Sequence, residues 1–139
     1  MSERIHATGV AREGRGVLIA GPSGSGKSDL ALRMIDRGWT LIADDQTQLT
    51  LRDGHLTASP PDTIAGQMEV RGLGIVTMDY SASAPVSLLV RLGEPVDRLP
   101  PAGLSERIAG IDLPLIRVDA RSPSAPLVVE LAMDRLERA

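Results

Sequence analysis

The chain has 139 residues with no Phe, one Trp, one Tyr and no cysteine, and its formal net charge is −3. This length suits one domain over residues 1–139, and the lack of cysteine excludes disulfides and thiolate metal sites. The acidic balance provides no global basic field for nucleic acid. No apolar run approaches the roughly 20 residues that span a bilayer, and the N-terminus lacks a signal-peptide stretch. We therefore expect a soluble, cytoplasmic protein without nucleic-acid or membrane partners.

The first strongly patterned region predicts a strand, a loop, a helix and a second strand. Residues 16–20 form a short apolar run, which is typical of a buried strand. Residues 27–37 place apolar side chains at helical spacing, and Gly38 is suited to end that helix. Residues 39–43 form the second apolar run. Residues 16–45 therefore predict a βαβ unit, which indicates the α/β class.

The rest of the chain predicts a hairpin, further strands and a closing helix. Residues 48–59 alternate around Asp53-Gly54, a dipeptide that favours a tight hairpin turn. Residues 69–77 mix β-branched residues with Gly72 and Gly74, which allow a bulge or a close backbone approach. The remaining predictions are strands over residues 85–92 and 113–118, loops at 100–101 and 122–126, and a helix over 126–138 with Pro126 in its first turn. No repeat or second domain is visible.

Residues 21–28 read GPSGSGKS and match the pattern G-x-x-x-x-G-K-[ST]. Small residues let the backbone wrap around a phosphate chain, and the following helix adds its positive N-terminal end. The lysine can reach the outer phosphates, and the serine hydroxyl can bind Mg²⁺. The alternative is a glycine-rich turn without a ligand, but the stretch lies between a predicted strand and a predicted helix, as a nucleotide loop requires. The predicted nucleotide-binding residues are Gly21, Pro22, Ser23, Gly24, Ser25, Gly26, Lys27 and Ser28.

Two consecutive acids, Asp44 and Asp45, end the second predicted strand. Carboxylates at the tip of an apolar strand are costly unless they are solvated or paired with cations. One can bind a metal ion through water, and the other can accept a proton from an attacking hydroxyl. The alternative is a pair of turn or capping acids. We favour the site, because the ends of adjacent strands in one βαβ unit lie near the loop.

Three blocks of sequence together resemble the catalytic domain of bacterial HPr kinase/phosphorylase. The first is GPSGSGKSDLALRMIDRGWTLIADD over residues 21–45, the second is MEVRGLGI over residues 68–75, and the third and weakest is the closing segment 127–133. The combination is more specific than the loop alone, and the resemblance covers nearly the whole chain. It implies the P-loop-containing fold of the HPr kinase C-terminal domain, which is similar to the nucleotide domain of phosphoenolpyruvate carboxykinase.

The resemblance also implies an activity. The family uses ATP and Mg²⁺ to phosphorylate a serine of HPr, a small carrier protein of the sugar phosphotransferase system, which links it to carbohydrate or nitrogen metabolism. It can remove that phosphate by attack of inorganic phosphate, which yields pyrophosphate, and it assembles as a hexamer. The expected ligands are therefore ATP and Mg, and the expected partners are an HPr-like phosphocarrier and further copies of the chain.

The family's site residues match individual positions here. The resemblance assigns Lys27 to the phosphates, Ser28 and Glu69 to Mg²⁺, and Asp45 to the serine proton, with Asp44 able to share that role. His6 matches a catalytic histidine, and a histidine there can balance the charge of the outer phosphate. The alternative for His6 is an exposed residue near the terminus.

Two arginines stay open between a site role and a bland one. Arg98 matches a family arginine that stabilises the transferring phosphoryl group, or it is a surface residue. Arg71 is either an ion-pair partner of Glu69 or a phosphate contact. His55 lies in the predicted hairpin turn, and we expect no site role for it.

The chain also departs from the common family pattern. It begins almost at His6, so it resembles a short proteobacterial form without the N-terminal domain. Residues 121–124 read Arg-Ser-Pro-Ser where the family often has Arg-Pro-Gly-Arg, and fewer cations hold phosphate less well as a nucleophile. We therefore expect a kinase with weak or absent phosphorylase activity. The alternatives are a small-molecule kinase or nucleotide hydrolase, and a nucleotide-sensing module that transfers no phosphate.

Overall fold

The computed structural model describes residues 2–138. These residues form two sheets, two α-helices and a 3₁₀ turn at Asp62–Ile64. The strands are β1 Ser2–Ile5, β2 Ala7–Arg12, β3 Arg15–Ala20, β4 Thr40–Ala43, β5 Thr47–Arg52, β6 His55–Ser59, β7 Gln67–Val70, β8 Gly74–Thr77, β9 Ala84–Arg91, β10 Ser105–Ile108 and β11 Ile111–Arg117. The helices are α1 Lys27–Asp36 and α2 Ala125–Arg138.

The main sheet is organised around β9. Its order runs β1-β5-β6-β9-β3-β2-β4, and β11 also pairs with β9 and carries β10 on its other side. The pairs β9–β3 and β9–β11 are parallel. Strands β7 and β8 form a separate antiparallel hairpin. The architecture is a mixed α/β fold, which confirms the predicted class.

The predicted βαβ unit is right in its elements and wrong in its pairing. Strands β3 and β4 are not neighbours, because β2 lies between them and is antiparallel to both. The turn Glu13-Gly14, with both residues at positive φ, folds β2 back onto β3. Ala7 therefore lies opposite Ala20. This pairing brings the start of β2 to the end of β3, where the glycine-rich segment begins.

The two faces of the main sheet are covered differently. On one face α1 and α2 pack Leu30, Met34, Val129 and Met133 against it, each at most 1% exposed. On the other face the β5–β6 hairpin contributes buried leucines to a second cluster with residues of β3 and β9. Burying one such side chain stabilises the fold by about 1.5–3 kcal/mol. The site thus rests on strands that are packed on both sides.

One buried carboxylate joins the two helices. Glu130 of α2, which is 9% exposed, accepts hydrogen bonds from Arg37 Nη2 at 2.7 Å and from Trp39 Nε1 at 3.0 Å. Arg12 Nη1 lies 3.7 Å from the same carboxylate, and its guanidinium stacks 4.7 Å above the Trp39 ring. The hydrogen bond from Arg37 is the main reason why the pKa of Glu130 is held below its usual range. We call Glu130, Arg37, Trp39 and Arg12 the Glu130 cluster.

Most of the other predicted elements are confirmed. The hairpin turns at Asp53 and Gly54, both at positive φ, with Arg52 opposite His55, which is the backbone that a primed turn needs. Gly38, with φ of 102°, follows the end of α1. The predictions over 85–92, 113–118 and 126–138 match β9, β11 and α2 to within one or two residues at each end.

Residues 69–77 form parts of the β7–β8 hairpin. Gly72 and Gly74 have φ of 93° and 95°, so they serve its turn. No atom of residues 2–138 lies within 4 Å of a Cβ built on either glycine, and the β7–β8 register has no bulge. Both glycines line the cleft described below, so approach by a ligand there stays a prediction. Strands β1, β2 and β10 were not predicted from the sequence.

Candidate active site

A cleft of about 850 Å³ opens between the glycine-rich loop, the end of β4 and the β7–β8 hairpin. Three segments that lie far apart in the chain therefore meet in one place. Among the predicted site residues, those that line the cleft are Ser23, Gly24, Gly26, Lys27, Ser28, Asp44, Asp45 and Glu69. Arg71, which the sequence left open, also lines it.

The loop needs its glycines for two different reasons. Gly24 and Gly26 have φ of 80° and 99°, a region that side chains disfavour. Gly21 is needed for space, because a Cβ there would lie 2.7 Å from Ser25 Oγ and 2.9 Å from Leu92 O. Gly26 also caps α1. The first N–H groups of a helix lack intrahelical partners, so those of α1 are available to an anion at the loop.

Lys27 is the first residue of α1, and it is only 6% exposed. Its ammonium group bends back over the loop and donates to Gly21 O at 2.9 Å and to Pro22 O at 3.1 Å. Within residues 2–138 it forms no ion pair with a carboxylate. A buried cation bonded to carbonyl oxygens alone gains more from a phosphate than from its present partners.

Asp44 is 7% exposed, and its carboxylate accepts three hydrogen bonds. The hydroxyl of Ser28 donates at 2.5 Å and that of Thr8 at 3.2 Å, both to Oδ1. The backbone N–H of Glu69 donates to Oδ2 at 3.1 Å. All three donors are neutral. A buried carboxylate that has hydrogen bonds but no cation is costly, and it is a suitable neighbour for a positively charged ligand.

Asp45 faces solvent, with 61% of its side chain exposed. Its Oδ1 lies 2.5 Å from Nε2 of His6, which sits between β1 and β2. Its backbone φ is 67°, which is uncommon for a residue with a side chain. The fold thus joins a histidine and a carboxylate that are 39 residues apart, as a hydrogen-bonded pair beside the loop.

The oxygen donors at this end of the cleft fit a magnesium ion. Ser28 Oγ and the Asp44 carboxylate are in direct contact, and Glu69 follows on β7 with an exposed side chain. Mg²⁺ prefers such oxygen ligands and is usually held by one or two carboxylates together with waters and substrate phosphates. Residues 2–138 hold no group of three or more His, Cys, Asp and Glu arranged as a metal site, and a Mg²⁺ site of this kind requires none.

The predicted site residues that do not line the cleft are His6, Gly21, Pro22, Ser25 and Arg98. Arg98 is in the exposed connection between β9 and β10, and it does not line the cleft. That connection begins against the loop, since a Cβ on Gly93 would lie 3.0 Å from Pro22 Cδ. The Arg121 side chain is 94% exposed and contacts Asp119 at 3.4 Å. His55 is exposed at the start of β6.

The sequence left Arg71 open between an ion pair with Glu69 and a phosphate contact. Arg71 lines the cleft beside Glu69, yet these two side chains form no ion pair in the described part of the chain. Its guanidinium is therefore not committed to that carboxylate.

One residue of this region was missed by the sequence analysis. Thr8 is fully buried on β2, and its hydroxyl contacts both acids: it donates to Asp44 Oδ1 and accepts from the Asp45 N–H. A single threonine near the N-terminus carries no signal of such a role. The signal exists only once β2 is known to lie between β3 and β4.

The fold and the site thus define a protein in which a glycine-rich loop and the carboxylates at the end of β4 face one cleft. The chain belongs to the HPr Serine kinase C-terminal domain family, whose profile matches residues 1–137. A solved structure described as the Hpr(Ser) kinase/phosphatase from Coxiella burnetii superposes with a TM-score of 0.82 and 30% identity, over 98% of each chain. This likeness confirms the fold expected from the resemblance.

Curated relatives named HPr kinase/phosphorylase agree with this assignment. A protein of Treponema pallidum subsp. pallidum is 34% identical over 96% of this chain and 47% of its own length. One from Clostridium botulinum (strain Eklund 17B / Type B) is 47% identical over 58% of this chain and 27% of its own length. The chain thus spans about half the length of the first relative and less of the second.

Neither helix in residues 2–138 has the length and apolar character needed to cross a membrane.

Proposed function

We propose that this chain is the catalytic domain of a protein-serine kinase that uses ATP and Mg²⁺ and phosphorylates an HPr-type phosphocarrier of the phosphotransferase system. The observation that supports it most is the convergence of Lys27, Ser28 and the Asp44–Asp45 pair in one cleft. The family assignment supports the same reaction. In this proposal the protein acts in the cytoplasm on carbohydrate or nitrogen metabolism, and it assembles as a homo-oligomer, a hexamer by its resemblance to the family.

The reaction is a direct phosphoryl transfer. The acceptor serine oxygen forms a bond to the γ-phosphorus of ATP, and the bond from that phosphorus to the β,γ-bridging oxygen breaks, which leaves ADP. The serine proton passes to the exposed Asp45 carboxylate. His6 Nε2, 2.5 Å away, hydrogen-bonds to that carboxylate and keeps it in place.

The remaining residues bind and orient the substrates. Lys27 exchanges its carbonyl partners for phosphate oxygens, and the N–H groups at the start of α1 point toward the same phosphates. Ser28, Glu69 and Asp44 would hold Mg²⁺. The ion supplies positive charge that neutralises the phosphates. We assign Arg98 to the transferring phosphoryl group, which requires the β9–β10 connection to move over the loop when substrates bind.

The test is transfer of labelled phosphate from γ-labelled ATP to a purified HPr-type carrier in the presence of Mg²⁺. We expect the Asp45→Asn variant to lose about 100- to 10,000-fold in kcat, the usual contribution of a general base. Asp53→Asn is the matched control, because Asp53 is also an exposed aspartate at positive φ, 52°, but lies in the β5–β6 turn. Equal activity of the Asp45→Asn and wild-type proteins would contradict the role of Asp45.

Two further results would change the assignment. Tight ATP binding without transfer to any carrier would favour the nucleotide-sensing module, and transfer to a small molecule would favour the other alternative. In the reverse direction, the phosphorylated carrier and orthophosphate should yield little pyrophosphate, because the Arg121 side chain is exposed to solvent beside Asp119. Substantial pyrophosphate release would overturn the proposal of weak phosphorylase activity.

A further inference from the structure

The end of β4 leaves regular pairing at the point where the two acids begin. Gly9 lies opposite Ala43 and Val10 opposite Leu41, so Ile42 is an extra residue in the ladder between β2 and β4. Such bulges bend a strand and redirect its side chains, and they are frequent beside active sites. Backbone pairing therefore stops fixing the chain just before Asp44.

A strained turn follows the bulge. The N–H of Gln46 donates to Asp44 O at 2.7 Å, a hydrogen bond that encloses Asp45 alone. Because φ at its central residue is +67°, this is the γ-turn with positive φ, which is rarer and more strained than the inverse γ-turn. Strain of this kind persists only when surrounding contacts hold it, and it is concentrated at functional sites.

One side chain supplies such contacts to both acids. The Thr8 hydroxyl donates its hydrogen to Asp44 Oδ1 at 3.2 Å and accepts the Asp45 N–H at 3.1 Å. A hydroxyl has one hydrogen and two lone pairs, so a single oxygen can serve both roles at once. Thr8 is completely buried on a strand packed between β3 and β4, which makes it a rigid support.

We propose that Thr8 is a positioning residue for the reaction: its hydroxyl sets the orientation of Asp44 toward Ser28 and holds Asp45 in the strained turn that presents its carboxylate to the cleft. This inference rests on the proposed function for its kinetic consequence. The acids themselves touch the substrates, and Thr8 acts through them. Removing the hydroxyl takes one of three donors from Asp44 and the acceptor from the Asp45 N–H, which lets the turn relax.

The kinetic test compares three changes in the full chain. Thr8→Val keeps the branched shape and removes the hydroxyl, Thr8→Ser keeps the hydroxyl, and Thr8→Ala is a second hydroxyl-free variant that does not depend on how valine fits. We expect Thr8→Val and Thr8→Ala to lower kcat about 10- to 100-fold, the usual effect of removing a partner that orients a site residue, while KM for ATP changes less than about threefold. Thr8→Ser should recover most of kcat.

Thr47→Val is the matched control for loss of a buried threonine hydroxyl. Thr47 is also 0% exposed, but its hydroxyl donates to a backbone oxygen, Ala7 O at 2.8 Å, rather than to an acid. We expect this variant to keep the kcat of the wild-type protein. A Thr8→Val protein with wild-type kcat would overturn the proposal. So would an equal loss in Thr8→Ser or in Thr47→Val, since each would point to packing or general stability.

A second measurement separates this inference from the proposed function. Hydrogen exchange of the Asp45 amide, followed by NMR without any substrate, should be faster in Thr8→Val than in the wild-type and Thr8→Ser proteins, because its acceptor is gone. If the wild-type protein transfers phosphate to no carrier, the proposed function fails but this measurement still decides the role of Thr8. An unchanged exchange rate of the Asp45 amide in Thr8→Val would refute the proposed role of Thr8.

Discussion

Asp44 and Glu130 are two carboxylates of nearly equal burial, 7% and 9% exposed, in opposite electrostatic situations. Glu130 is surrounded by cations, with Arg37 hydrogen-bonded to it and Arg12 3.7 Å away. Among the residues that the structure describes, Asp44 accepts hydrogen bonds only from two hydroxyls and a backbone N–H. A buried charge needs compensation, and of these two carboxylates only Glu130 receives it from charged side chains within residues 2–138. The difference indicates that Glu130 stabilises the fold, whereas Asp44 is available to a cation brought by a substrate.

The comparison also locates the two carboxylates on different parts of the fold. The Glu130 cluster joins α2 to the end of α1 and to β2, so its contacts are internal to the packed helical face. Asp44 sits at a strand end, at the wall of the cleft. The neutralised charge at Glu130 suits a stable scaffold, and the charge at Asp44, which no cationic side chain neutralises within residues 2–138, suits a site that binds a ligand.

The largest expected effect within this comparison is a separation of activity between the two positions. Asp44→Asn should raise the Mg²⁺ concentration that gives half-maximal phosphate transfer about 10- to 100-fold, because the neutral amide no longer attracts the ion. Glu130→Gln should leave the rate per folded molecule close to that of the wild-type protein. The measurement is the initial rate of transfer across a Mg²⁺ titration. Equal losses in the two variants would remove the distinction.

The second expected effect is on stability, and it runs in the opposite order. Glu130→Gln should lower the free energy of unfolding by about 1–2 kcal/mol, since hydrogen bonds to charged groups exceed neutral ones, and since Arg37 is 43% exposed and partly screened. Asp44→Asn should cost less, because removing the charge also relieves its desolvation. Urea unfolding of the three proteins measures both values. A larger loss in Asp44→Asn would show that Asp44 is mainly structural.

The predictions that succeeded from sequence rest on local patterns. The GPSGSGKS loop, α1 with Gly38 after it, and the Asp53-Gly54 turn are each specified by neighbouring residues, so spacing alone identifies them. The pair Asp44-Asp45 was placed near the loop for an incomplete reason. The two strands lie in one sheet, but β2 separates them.

What could not be predicted depends on distant pairing. The local sequence of residues 7–12, ATGVAR, does not predict that this strand inserts between β3 and β4. The contacts of Thr8 with the two acids follow only from that insertion. The two hydrogen-bond partners of Glu130 are 91 and 93 residues away along the chain, so no spacing rule relates them. Sequence reasoning identified most of the residues that line the cleft and missed the buried contacts of Thr8 and Glu130, which depend on distant pairing.

The smallest expected effect is the pH dependence of the stability that the Glu130 cluster contributes. The hydrogen bond from Arg37 is the largest cause that lowers the pKa of Glu130 below its ordinary value of 4.5; burial opposes it, and the Trp39 N–H and the charges of Arg37 and Arg12 add to it. A carboxylate whose pKa is lower in the folded state stabilises the fold fully above its unfolded pKa. That contribution is lost as the pH falls through the folded value.

The difference in unfolding free energy between the wild-type and Glu130→Gln proteins should therefore stay constant from about pH 7 to pH 5 and shrink below about pH 4.5. Urea unfolding at several pH values checks this. Arg91 lowers the pKa of Glu106 in the same way, so both proteins lose stability in acid, and only the difference between them isolates Glu130. A difference that stayed constant down to about pH 3 would mean that Glu130 stabilises the helices by shape and neutral hydrogen bonding. The contrast with Asp44 would then no longer be one of charge compensation.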